Sequence, residues 1–217
     1  MDFAAARHNM VENQIRTTGV TDAVLVRAMA DLPRERFVPE NLAGIAYVDE
    51  SLALGGGRYL MEPMVLARLL QAADVAPTDT ALDIGCASGY SSAILSKLAA
   101  AVVALEYDAG LAARATQLLS ELGADNVAVI EAALETGYAK QAPYDVILFG
   151  GAVAAVPDPV IKQLGDGGRM VCVIDDGTGP GRATLITRFG EAIQRQTLFE
   201  AGTAFLPGFE PRPAFQF

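Results

Sequence analysis

The segment that most constrains this chain is Ala81-Leu82-Asp83-Ile84-Gly85-Cys86-Ala87-Ser88-Gly89-Tyr90. An apolar run enters a bend with glycine at both ends, and a helix-forming sequence follows. Glycine lets the backbone approach a neighbour or a ligand closely, and the first turn of a helix presents unpaired N–H groups. Around this bend, short apolar runs alternate with helix-spaced ones. Strands are expected at 80–84, 101–105, 127–130, 145–149 and 169–174, with helices at 90–98, 109–122 and 159–164. That alternation implies a parallel sheet with right-handed crossovers. Apolar runs at 183–189 and 193–199 flank Gly190-Glu191 as in a hairpin. The expected fold is α/β: doubly wound, mostly parallel and seven-stranded, with antiparallel C-terminal strands and a helical N-terminal extension.

The extension covers residues 1–61 and the core 62–217. Residues 5–35 are expected to be helical, from Met10, Val11, Gln14 and Ile15 and then from Val24, Leu25, Ala28 and Met29. Thr21 is the expected N-cap of the second helix, and Pro33 ends it. Residues 36–61 show no clear period, and Gly55-Gly56-Gly57 marks a loop. Pro63 suits a first helical turn, with Val65, Leu66, Leu69, Leu70 and Ala73 as the buried stripe. The tail from Phe205, with Pro207, Pro211 and Pro213, is expected to be irregular.

Composition removes several function classes. The net charge of −10 opposes a nucleic-acid phosphate tracker and a polybasic membrane binder alike. The 2 cysteines, Cys86 and Cys172, form neither a disulfide framework nor a metal-ligand spacing. His8 is the sole histidine, which argues against Ser-His-Asp or Cys-His catalysis. Met1-Asp2-Phe3-Ala4 lacks the basic and apolar regions of a secretory leader, and no apolar run reaches the roughly 20 residues of a membrane span. A cytoplasmic location is the expectation.

In open α/β sheets, ligands sit at the carboxyl ends of the strands near the switch point, so the bend is a candidate nucleotide-like cofactor site. The dinucleotide spacing G-x-G-x-x-G fails here, because Gly85 and Gly89 enclose Ala87 and Tyr90 follows. What remains resembles the first motif of S-adenosylmethionine methyltransferases, hydrophobic-D/E-x-G-x-G-x-G, with Ala87 at the middle glycine. The resemblance implies that the loop wraps the cofactor's amino-acid end and that Asp83 helps orient its ammonium. Glu106 closes the next strand, about 20 residues past the first glycine, where a carboxylate can accept both ribose hydroxyls. A purely structural bend and a solvated strand end are the alternatives for these two features. The candidate cofactor residues are Asp83, Gly85, Cys86, Ala87, Ser88, Gly89, Glu106 and Tyr107, with Ala132 and Ala133 after the third core strand.

A narrower resemblance runs along nearly the whole chain. Met10-Val11-Glu12-Asn13-Gln14-Ile15, Val24-Leu25-Val26-Arg27-Ala28-Met29, Pro33-Arg34-Glu35-Arg36-Phe37-Val38-Pro39 and Ala46-Tyr47-Val48-Asp49 resemble N-terminal motifs of the protein-L-isoaspartate O-methyltransferases. Leu164-Gly165-Asp166-Gly167-Gly168-Arg169 and Ala204-Phe205-Leu206-Pro207 resemble later ones. The resemblance implies methyl transfer from S-adenosylmethionine to the free carboxylate of L-isoaspartyl residues, a protein-repair activity.

The chain departs from that pattern at its site. The family's I-G-x-G-Q-T-I-S-x-P loop falls on Leu54-Gly55-Gly56-Gly57-Arg58-Tyr59-Leu60-Met61-Glu62-Pro63. Its serine becomes Met61, which cannot donate a hydrogen bond. Arg58 and Tyr59 replace its Gln and Thr and are the candidate catalytic residues; Arg58 could grip a carboxylate two-pronged or be a solvated surface charge. The adenine-reading G-D-G falls on Ala132-Ala133-Leu134, with Glu131 or Glu135 as substitutes. Three functions stay open: isoaspartyl methyltransferase, methyltransferase on another protein carboxylate or a small carboxylic acid, and a non-catalytic cofactor-binding or interaction protein.

Overall fold

In the structure, a computed structural model in which residues 1–211 are described, the chain opens with helical turns. These are α1 (Phe3–Met10), a π turn (Val11–Ile15), a 3-10 turn (Arg16–Thr18) and α2 (Ala23–Asp31). Asp22, not Thr21, caps α2: its carboxylate accepts from the N–H groups of Val24 and Leu25, at 2.8 Å each. The N–H of Thr21 is bonded instead to the side-chain oxygen of Gln71. Asp22 directly precedes the first helical residue, so its short carboxylate reaches the second and third helical N–H groups. Leu32 is extended ahead of Pro33, as a residue before proline prefers.

Residues 36–61 are more ordered than their lack of period suggests. The 3-10 turns Arg34–Phe37 and Glu40–Ile45 lead into a two-stranded antiparallel hairpin, β1 (Leu52–Gly55) and β2 (Arg58–Leu60). Gly55, Gly56 and Gly57 have φ of +97°, +57° and +73°, a left-handed run that turns the hairpin and suits glycine. Strands of 4 and 3 residues are too short to show a period of two. The hairpin is a sheet of its own, separate from the main one.

The core then follows as α3 (Pro63–Ala73), β3 (Thr80–Ile84), α4 (Tyr90–Leu98), β4 (Ala101–Glu106), α5 (Ala109–Glu121), β5 (Val127–Glu131), β6 (Tyr144–Val153), α6 (Asp158–Ile161), β7 (Leu164–Ile174), β8 (Arg182–Phe189) and β9 (Ala192–Glu200). The seven-stranded sheet has the order β5-β4-β3-β6-β7-β8-β9. Its first five members are parallel, and β8 and β9 are antiparallel. β6 and β7 are longer than expected, because the glycines that resemble turn signals sit in register shifts across which pairing resumes. The residues from Leu164 onward therefore join β7, and α6 keeps only 4 residues.

Alternation along the strands splits the core in two. Ala81, Val102, Ala104, Val146, Leu148, Val171 and Val173 point to the face covered by α3, α4, α5 and the N-terminal helices, with Met10, Ile15, Leu25, Met29 and Phe37 in the same cluster. Leu82, Ile84, Val103, Leu105, Ile147, Phe149, Met170 and Cys172 point to the other face. There the cover is thin: Leu134 in a 3-10 turn, Val160 in α6, and Leu206 and Phe209 of the C-terminal segment. Among the described residues no helix is long and apolar enough to cross a membrane, and no group of His, Cys, Asp and Glu could hold a metal ion.

Candidate functional site

The sheet order reverses beside β3, which lies between β4 and β6. The bend after β3 lies at that switch point. Its geometry is fixed by β4: the N–H groups of Gly85 and Cys86 both donate to the Leu105 carbonyl, at 2.8 and 3.1 Å. Gly85 has φ +77°, Ala87 +53° and Gly89 +95°. β6 runs against the bend, so that a Cβ on Gly150 would lie 2.3 Å from the Gly85 carbonyl oxygen. Gly89 serves packing: a Cβ there would meet Ala115 and Leu119 of α5 at 3.2 and 3.3 Å.

Glu106, at the end of β4, is fully buried and is no solvated strand end. Its Oε2 accepts from the Ala87 N–H at 2.7 Å, which ties it to the bend. Its Oε1 accepts from the N–H groups of Tyr107 and Asp108 at 3.0 and 3.2 Å. The remaining partner is Arg58. Nε lies 3.2 Å from both carboxylate oxygens, and Nη2 lies 3.1 Å from Oε2. The same Nη2 donates to the Gly85 carbonyl at 2.7 Å. Arg58 is only 2% exposed, so the solvated-charge reading of this residue is wrong. Alternation in β2 explains its direction: Arg58 and Leu60 point inward and Tyr59 outward. Tyr59, the other catalytic candidate, is 38% exposed and stands away from the bend.

Asp83 lies beneath the bend. Its Oδ2 accepts from the hydroxyls of Ser91 and Ser92, at 2.6 Å each, in the first turn of α4. Its Oδ1 is buried without a partner among the described residues. Burial pushes its carboxyl up to about 6, against the opposing pull of the two serines. Burial likewise raises the Cys86 thiol, so this sulfur is a packed apolar group rather than a nucleophile. Ser88 donates to the Phe37 carbonyl at 2.5 Å, fastening the bend to the N-terminal extension. Tyr107 donates its hydroxyl to the Gly56 carbonyl at 2.9 Å, reaching across the hairpin turn. Ala132 donates its N–H to the Glu106 carbonyl at 3.0 Å, and Ala133 is exposed. Of the two candidate replacements for the adenine reader, Glu131 is exposed, and Glu135 places its Oε1 at the Gly208 turn, 2.6 Å from where a Cβ would stand.

Two features escape sequence reasoning. Leu206 packs into the bend: a Cβ on Gly85 would lie 2.6 Å from its Cδ2 and 2.9 Å from Arg58 Nη2. Backbone bonds between Ala152 and Ala204 and between Leu206 and Ala152, at 2.8 and 2.9 Å, pin this segment to β6. A partly buried polar cluster also lies at the base of the hairpin. Ser51 donates to Glu62 at 2.6 Å and stands 3.4 Å from the Thr203 hydroxyl. Arg34 donates to the carbonyls of Ala46 and Met61, at 2.7 Å each, and stacks on the Tyr90 ring at 4.7 Å. Met61, where the family serine falls, is itself buried at 5% exposure.

The polar groups expected to hold S-adenosylmethionine are therefore in register, but in this packing the residues do not fit it. Arg58 takes Glu106, the carboxylate expected to accept ribose hydroxyls, and it occupies a carbonyl of the bend. All five residues from Gly85 to Gly89 are buried, under the protein's own side chains rather than open to a ligand.

Comparison with known proteins agrees with the architecture. The sequence profile described as Protein-L-isoaspartate(D-aspartate) O-methyltransferase (PCMT) matches residues 5–207. A protein-L-isoaspartate O-methyltransferase of Koribacter versatilis is 42% identical over 169 residues, covering 78% of this chain and 76% of that one. One from Methanoculleus marisnigri is 36% identical over 201 residues, covering 93% and 90%. Among solved structures, a protein-L-isoaspartate O-methyltransferase superposes with a TM-score of 0.81 at 24% identity, over 94% of this chain and 67% of that one. A Plasmodium falciparum structure, described as a putative protein-L-isoaspartate O-methyltransferase in complex with S-adenosyl-L-homocysteine, gives 0.75 at 20% identity, over 91% and 96%. With a matching profile over nearly its full length and relatives above 30% identity, the chain belongs to the protein-L-isoaspartate(D-aspartate) O-methyltransferase family.

Proposed function

We propose that this chain is an S-adenosylmethionine-dependent carboxyl O-methyltransferase acting on a protein or peptide carboxylate, and that the structure represents its closed form. The observation that carries this reading is the bond from the Ala87 N–H to Glu106, which sets a strand-end carboxylate directly against the glycine-flanked bend. With Arg58 withdrawn from it, Glu106 would be the ribose-binding group, and the bend from Gly85 to Gly89 the cradle for the amino-acid end. The unpartnered Asp83 oxygen beneath it supports a role in orienting the ammonium through water.

The chemistry asks little more of the chain. An acceptor carboxylate with a pKa near 4 is already ionised at pH 7, so no general base is needed. What the protein must supply is orientation and a dry site. Leu206, buried and pinned against the bend, provides an apolar wall for it. The isoaspartyl preference belongs to the same reading, supported by family membership, although Met61 and Arg58 alter the substrate loop.

The test is transfer of a labelled methyl group to an isoaspartyl peptide and to its aspartyl twin. Label on the isoaspartyl peptide alone is the expected result. Equal label on both peptides would remove the isoaspartyl preference. Label on neither, with transfer to a small carboxylic acid, would move the acceptor class.

A further inference from the structure

This inference rests on the cofactor reading above and concerns how that site is controlled. We infer that Arg58 is a built-in competitor for the cofactor: its guanidinium takes the same carboxylate and the same stretch of bend, so the hairpin must surrender it before the nucleoside can enter.

The contacts support a stand-in rather than incidental packing. A cofactor seated here would present two hydroxyl donors to Glu106 and a cationic amine to the bend. Arg58 presents Nε and Nη2 to the carboxylate, and Nη2 also to the Gly85 carbonyl. It thus satisfies both acceptors with one planar, permanently charged group. Cofactor and Arg58 cannot both hold Glu106.

The closed form is also built to open. When Arg58 leaves, Glu106 keeps the N–H groups of Ala87, Tyr107 and Asp108, so the carboxylate is not orphaned. The hairpin that carries Arg58 is not hydrogen-bonded into the main sheet. Its turn is three successive left-handed glycines, held across the site by the Tyr107 hydroxyl on the Gly56 carbonyl. Leu206 is different: its backbone is bonded to β6, so it stays as a wall. The moving part is therefore β1–β2, with Arg58 as its latch and Tyr107 as a second, weaker tie.

A ligand that binds only the open form has its apparent affinity lowered by the open fraction. A latch closed nine-tenths of the time or more thus weakens cofactor binding at least tenfold. The experiment is calorimetric titration of the full chain with S-adenosylhomocysteine, comparing wild type with Arg58→Gln, which restores the family's side chain. The expected result is binding at least tenfold tighter in the variant. Equal affinity in the two proteins would overturn the competitor role while leaving the cofactor site intact. Binding by neither at millimolar ligand would overturn the cofactor reading itself, and the latch with it. Should Arg58→Gln fail to fold by circular dichroism, amide hydrogen exchange on the wild type decides. Residues 52–60 should exchange faster with saturating S-adenosylhomocysteine, and unchanged or slower exchange there would refute the latch.

Discussion

Two alanine substitutions on one ion pair should differ in cost, because the partners are not equally supported. In Arg58→Ala, Glu106 loses the guanidinium but keeps three backbone donors, and water can enter the vacated space. Losing hydrogen bonds to a charged group costs about 1.5–3 kcal/mol, so about 2–3 kcal/mol is expected. In Glu106→Ala, Arg58 keeps only the Gly85 carbonyl, at 2.7 Å. Removing one member of a buried pair costs about 3–5 kcal/mol, and the buried Ala87 N–H, left unpaired, adds about 1 kcal/mol. Glu106→Ala should therefore cost about 4–6 kcal/mol, much of the 5–15 kcal/mol typical of a folded domain. The chain has no tryptophan, so urea unfolding is best followed by far-UV circular dichroism. With a slope of about 2–3 kcal/mol per molar urea, the two midpoints should lie roughly 1 M apart. Equal midpoints, or a lower one for Arg58→Ala, would show that the carboxylate is not the hub of the bend.

Other outcomes follow from single contacts. Asp83 titrates near 6 in the folded chain against 3.8 as the ordinary value. It keeps its proton in the folded state over a range where the unfolded chain has released it. The contribution of Asp83 to stability is then fully present below about pH 4 and is lost as pH rises through about 6, by roughly 3 kcal/mol in all; urea melts of wild type against Asp83→Asn at pH 4 and pH 7 should show that difference shrinking in the variant. Gly85→Val would place a branched side chain at φ +77° against Leu206 and Arg58, and should cost at least about 3 kcal/mol, read as a fall in melting temperature. Asp22→Ala removes two cap bonds of α2 and should cost about 1 kcal/mol in the same assay.

Much of the fold was legible because its units repeat a period. β3 and α4 fall on the expected residues, and the sheet's antiparallel ending follows the Gly190-Glu191 hairpin. The β1–β2 hairpin was not legible, since its strands are too short to alternate visibly and its glycines read equally as loop. The site divided along the same line. Glu106 and the bend announced themselves by spacing within one βαβ unit. The partner of Glu106 lies 48 residues upstream on a separate sheet, and no local pattern encodes that pairing. Only the alternation of Arg58 and Leu60 on one face of β2 hinted that the charge points inward, and it becomes a hint only once the strand is known. Leu206 was visible as part of a motif but not as a wall, because its place depends on pairing between Phe205 and Ala152.

The retained motifs and the altered ones do different work, which separates family membership from cofactor occupancy. Gln14 donates to the Tyr47 carbonyl at 2.9 Å, and Arg34 bonds the Ala46 and Met61 carbonyls. Arg169 of the glycine-rich turn before β7's core reaches the carbonyls of Ala73 and Asp74 and the carboxylate of Asp79, at 2.9, 2.8 and 2.5 Å. The first two tie the N-terminal extension to itself and to the exit of the hairpin, and Arg169 ties α3 to the sheet. The departures at Arg58 and Met61 fall on the hairpin and its exit instead, and Arg58 is the one that reaches Glu106 and the Gly85 carbonyl. Identity across the scaffold therefore says little about how readily the cradle opens. On the latch proposal, that property turns on whether Glu106 prefers an internal guanidinium or an external pair of hydroxyls, and a desolvated charge pair is a strong competitor against neutral donors. The chain is a methyltransferase by family; on the latch proposal, the concentration of cofactor sets how much of it stands open.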